Sequence, residues 1–198
     1  MSVYPRTTRT TAVLFVSSAF LFFLLLSRQI TVAAAMASPD VLSKLAVSIR
    51  QSSSSPPTLA VKVTNGNDIP VTILTWDSPL DPAALSLDVV RITPAGAAAP
   101  LELPRVMFRR LMPPDAEALE TVEAGGIVER EIVLKDAVVS PEELFVDGGP
   151  ARVRLKGRWN CVWAKRREEI GAESLERMAG GDDAVEGDFE SNEVEVRA

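Results

Sequence analysis

From residue 40 onward the chain repeats one pattern. A short stretch of alternating apolar and polar residues is followed by a cluster of glycine, proline, asparagine, aspartate or serine. Successive side chains of a strand point to opposite faces, so a period of two makes a ribbon with one apolar side that must be buried against another. Leu45, Val47 and Ile49 alternate with Ala46, Ser48 and Arg50, and a Ser/Pro-rich turn over residues 52–57 closes the run. Leu59, Val61 and Val63 then alternate with Ala60, Lys62 and Thr64. Asn65-Gly66-Asn67-Asp68 follows and leads into a β-branched stretch over residues 69–76. Asn-Gly suits the left-handed backbone of a tight reversal, so a hairpin is expected here.

The later segments keep the scheme. Strands are expected over residues 87–93, 101–110, 119–123 and 127–135, separated by Pro94-Ala95-Gly96 and by Glu123-Ala124-Gly125-Gly126. The longest, over 151–164, follows Asp147-Gly148-Gly149-Pro150. On it Val153, Leu155, Trp159, Cys161 and Trp163 share one face, and Arg152, Arg154, Lys156 and Arg158 share the other. A last alternation over 189–197 sets Val194 and Val196 against Glu193 and Glu195. Residues 165–188 read as a weakly helical acidic insertion, through Ile170, Leu175 and Met178. About seven or eight short strands with regular turns predict an all-β fold. The architecture expected is an immunoglobulin-like antiparallel sandwich over residues 38–198, a single domain.

Ahead of it lies an apolar leader over residues 1–37. Arg6 and Arg9 precede a mostly apolar stretch over 12–26, and Ala33-Ala34-Ala35 with Ala35-Met36-Ala37 supply small residues beyond it. Positive flank, apolar middle and small-residue exit are the parts of a secretory signal peptide, so secretion is expected. The stretch is shorter than the roughly 20 residues a membrane span needs, so no stable membrane anchor is expected. The alternative is a cytoplasmic protein starting at Met36, the leader then being an upstream extension. The lone Cys161 and the lack of an Asn-x-Ser/Thr acceptor keep that alternative open.

The 198 residues contain no histidine. Histidine is the usual general base near neutral pH and the commonest metal ligand. Without it there is no zinc-hydrolase motif, no Ser-His-Asp or Cys-His pair, and neither an enzyme nor a cofactor is expected. Glu142-Glu143, Glu168-Glu169 and Asp182-Asp183 are paired carboxylates in polar stretches where solvation accounts for them. A hydrolase built on carboxylates alone is the alternative class. The net charge of −6 lies wholly in residues 165–198. A neutral body with an acidic tail gives no attraction to nucleic acid. The basic stripe of residues 152–158 is expected to pair across strands with Glu129 and Glu131, or with Glu193 and Glu195.

One segment carries a resemblance: Thr72-Ile73-Leu74-Thr75-Trp76-Asp77-Ser78-Pro79-Leu80-Asp81. Arg109-Arg110 with Met112-Pro113-Pro114, the Val122-Glu123-Ala124-Gly125-Gly126 turn and Gly157-Arg158-Trp159 add to it. Together these resemble the non-catalytic, propeptide-like N-terminal β-domain of fungal deuterolysin-type metalloendopeptidases. They are still more similar to stand-alone fungal proteins of that type. In those proteases zinc chemistry belongs to a separate histidine-bearing domain. The resemblance therefore implies the β-fold and a non-enzymatic role in pairing with a protein partner. The candidate interaction loops hold Asp77, Pro79 and Asp81 on one side and Arg109, Arg110, Pro113 and Pro114 on the other. Proline restricts the backbone of such loops, so less entropy is lost on docking.

Overall fold

The computed structural model describes residues 41–134 and 138–198. The leader expected over 1–37 lies outside them. The described chain is mostly β, with two antiparallel sheets. One sheet has the order β1-β2-β6, formed by β1 (Leu45–Ser54), β2 (Pro57–Asn65) and β6 (Ile127–Val133). The other is organised around β7 (Ala151–Trp163). Beside β7 run β4 (Val90–Thr93) and then β3 (Val71–Leu74), and β3 carries β5 (Leu119–Val122) as its outer neighbour. β8 (Ala184–Glu190) and β9 (Val194–Val196) also pair with β7. Among the described residues there are two short α-helices, α1 (Pro141–Leu144) and α2 (Ala172–Arg177).

The main core lies between the sheets, where the alternation of the first two strands places it. Val47, Ile49, Leu59, Val61 and Val63 meet Ile73, Ile92, Val153, Leu155 and Trp159 from the other sheet. The Phe189 ring packs on Trp159 with centroids 4.8 Å apart. Gly157 makes room for it, since a Cβ there would lie 2.9 Å from that ring.

Four expectations are corrected. The Asn-Gly reversal is not a hairpin: β2 pairs with β1 and β6, β3 pairs with β5 and β7, and the chain crosses between sheets. The side chain of Asn65 makes the crossing. It is buried, its amide donates among the carbonyls of Ile69, Val122 and Glu123, and its oxygen accepts from the Asn67 backbone. Buried polar groups of a crossing chain must be satisfied, and Asn65 serves both sheets at once.

Residues 101–110 form no strand. Pro104 offers no ladder donor, and the segment is held by isolated bonds, Leu101 N–H to the Ile92 carbonyl and Val106 N–H to that of Ser86. Cys161 and Trp163 do not share the environment of Trp159. A bulge between Trp159 and Val162 adds a residue, so Val162 turns to the main core. Cys161 and Trp163 join a second cluster with Leu74, Ala118, Leu119 and Ile170.

Finally, the insertion expected over 165–188 ends in strand β8, and the last alternation is divided, giving nine strands in all among the described residues. Between β8 and β9, Asn192 bonds both backbone groups of Ile49. Residues 165–180 do hold the helical turns, and they lie against the second cluster. There Trp163 donates to Ser174 at 2.9 Å, and Ser174 in turn bonds Asp183.

Candidate functional site

The two candidate loops meet. After β3 the chain turns back on itself: Ser78 Oγ donates to the Thr75 carbonyl, and the Leu80 N–H donates to Ser78 Oγ. Asp77 has a left-handed backbone, φ 56°, and its N–H donates to Asp81 Oδ2 at 2.8 Å. The other Asp81 oxygen accepts from the Ala83 N–H. Asp81 is 2% exposed, and its carboxylate takes the Arg110 guanidinium at 2.5 Å. The Arg110 guanidinium carbon also lies 5.6 Å from the Trp76 ring centroid and 5.2 Å from that of Phe108. A planar cation suits both the carboxylate and the ring faces. One side chain thus fastens the second loop to the first.

The remaining candidate residues sort by exposure. Pro79 and Pro114 are buried and shape the turns, whereas Pro113 is exposed. Arg109 is exposed and makes no ion pair or hydrogen bond among the described residues. Asp115 ends the second loop by accepting from the N–H groups of Glu117 and Ala118.

Residues that the alternation hid complete the surface. Between Val106 and Met112 the loop displays Met107, 92% exposed, and Leu111, 83% exposed, with Val106, Phe108 and Met112 about half exposed. Monomeric surfaces seldom gather large apolar side chains in this way. The signal was present in the sequence as Val106-Met107-Phe108 and Leu111-Met112 on either side of Arg109-Arg110. The strand expected over 101–110 took in Val106, Met107 and Phe108 and left their exposure unread.

Beside this loop lies a cleft of about 290 Å³, lined among others by Asp77, Arg91, Arg105, Lys156, Arg158 and Asn160. The bulge in β7 aims Asn160 at it, and Asn160 donates to Asp77 Oδ2 at 3.2 Å. The basic stripe of β7 pairs across strands mainly with β8: Arg154 and Lys156 with Glu190, and Arg158 with Glu186 and Asp188. Of the four glutamates expected, Glu193 takes Arg152 at 3.5 Å. Glu129 and Glu131 take no part in these pairs.

The paired carboxylates have local uses. Glu143 closes a capping box with Ser140, Glu169 accepts from the Arg166 backbone, and Asp183 binds Lys165. The bond from Lys165 holds the Asp183 carboxyl below its usual range. Cys161 is fully buried, and loss of solvation pushes its thiol up to about 12, so it is neutral at physiological pH. No group of three His, Cys, Asp or Glu side chains able to hold a metal is present among the described residues. Nor is any helix among them long and apolar enough to cross a membrane.

Comparison with known proteins agrees with this architecture. The chain is 34% identical over 145 residues to an uncharacterized secreted protein of the fungus Arthroderma benhamiae, covering 72% of this chain and 70% of that one. An immunoglobulin-like domain model matches residues 44–198, the span that holds both sheets. On that match and the two antiparallel sheets, the chain belongs to the immunoglobulin-like domain family.

Proposed function

We propose that this protein is an exported, non-enzymatic interaction module that pairs, in the manner of a propeptide, with a protease or another secreted protein. The observation that carries the reading is the loop over 105–115. It is fastened by Arg110 to the buried Asp81, yet it holds Met107 and Leu111 almost wholly in water. A loop pinned in shape and apolar at its tip loses little entropy on docking and gains from burial. The complete lack of histidine supports a role without catalysis. Export is supported by the signal-like leader and by the secreted relative.

The test is a pull-down from fungal culture medium with the purified protein, beside a Met107→Ser/Leu111→Ser variant. Both positions are exposed, so the variant keeps the core. A protein retained by the parent and lost by the variant, and bound again when purified, is the expected result. Retention of the same proteins by both would end this reading.

A further inference from the structure

We infer that the partner's docking segment is acidic and apolar, and that it lies along a track running from the polar cleft onto the loop over 105–112. This rests on the interaction reading above and adds the chemistry of the partner. Continuity comes from Arg105, which lines the cleft and begins the loop. Asp77, which also lines the cleft, belongs to the turn that Asp81 and Arg110 fasten to the far end of the same loop.

The charges choose the ligand. Arg105 and Arg109 are exposed and have no ion pair or hydrogen bond among the described residues. They flank Met107 and Phe108, so cation and apolar surface alternate along the strip. Within the cleft Arg91 is taken by Asp88 at 2.6 Å, and Asp77 is engaged by Asn160. Lys156 has only a long contact to Glu190, 3.7 Å, so its ammonium, like Arg105, retains donors for a ligand. A carboxylate is the group that meets such cations, and Met107, Phe108 and Leu111 ask for apolar side chains between the carboxylates.

A narrow segment fits better than a broad anionic surface. Glu186, Asp188 and Glu190 border the basic stripe and bind it, and they would oppose a bilayer or a nucleic-acid backbone laid across it. An extended peptide can place carboxylates at Arg105 and Arg109 while avoiding that acidic border.

The experiment is selection of a random dodecapeptide phage library on the immobilised protein at physiological ionic strength. Enriched peptides are expected to carry Asp or Glu beside Leu, Phe or Trp. Their synthetic forms should bind about tenfold or more weakly to Arg105→Glu/Arg109→Glu and to Met107→Ser/Leu111→Ser, and more tightly as salt is lowered. An Arg177→Glu variant, remote in sequence on α2, should bind as the parent does. No enrichment, enrichment of basic or uncharged peptides, or indifference to these substitutions would overturn the inference. So would co-sedimentation with phosphatidylserine/phosphatidylcholine vesicles that depends on Met107 and Leu111 without peptide enrichment. A partner from culture medium that Arg105→Glu/Arg109→Glu still retains would remove the acidic segment alone and leave the interaction module standing.

Discussion

Trp159 and Arg154 stand five positions apart on β7 and have opposite fates. Trp159 is 1% exposed and packs among residues of both sheets, while Arg154 reaches Glu190 at 2.8 Å in water. Removing a buried aromatic side chain loses its burial and leaves a cavity, at a cost of about 3–5 kcal/mol. An exposed ion pair contributes less than about 1 kcal/mol, because water screens it and two long side chains must be ordered to make it. Trp159→Ala should therefore lower the urea midpoint far more than Arg154→Ala. The reverse order would mean that the faces of β7 are exchanged. For these two residues the alternation in the sequence was sufficient. It was not sufficient for Cys161, whose face depends on a bulge that adds one residue, and a bulge leaves no mark in the period of a single strand.

Between elements, the Asp81–Arg110 contact carries the candidate site. Asp81 accepts from two backbone N–H groups and one guanidinium, so it organises its own turn and anchors the loop that follows β4. Asp81→Ala orphans those donors, at about 1–3 kcal/mol for each one left unsatisfied in the interior. The loss falls on the loop first. Local opening of the 105–115 segment should rise about tenfold, and trypsin should cut at residues 105–110 correspondingly faster. The far-ultraviolet spectrum should keep its β character. An unchanged cutting rate would show that the loop is held by other contacts. Asp77, Asp81, Arg109 and Arg110 were all recognisable in the sequence as candidates. That Asp81 and Arg110 face each other was not, because they lie 29 positions apart in the chain and only the sandwich brings them together.

At the scale of the whole molecule, Asp183 and Cys161 make stability depend on pH from opposite ends of the range. Asp183 titrates below its ordinary 3.8 when folded, because Lys165 and Ser174 bond its charged form. Its contribution is present above that value and is lost as pH falls through the folded pKa. Cys161 moves from 9.0 up to about 12, chiefly through burial, with Asp183 and Glu186 adding to it. The unfolded thiol ionises first, so stability is complete below pH 9.0 and declines from there to about 12. Urea midpoints should thus fall on both sides of a plateau. Cys161→Ala should flatten the alkaline side and Asp183→Asn the acid side. An alkaline decline identical in Cys161→Ala would refute the assignment.

The sequence by itself determined the class of fold, the long strand and its apolar face up to Trp159, and the want of histidine chemistry. Each of these follows from residue type or from a period of two, and such local information survives in a linear chain. Only the tertiary structure decided which strands are neighbours. Asn65-Gly66 has the chemistry of a reversal, but the same residues also satisfy the backbone of a crossing between sheets, and pairing partners beyond the turn settle which occurs. Tertiary structure likewise decided that Met107 and Leu111 of the 106–112 segment stay in water. An isolated apolar segment is buried only if a second surface is free to receive it. Here the main core is already filled by the nine strands of the described residues, so these side chains are left on the outside.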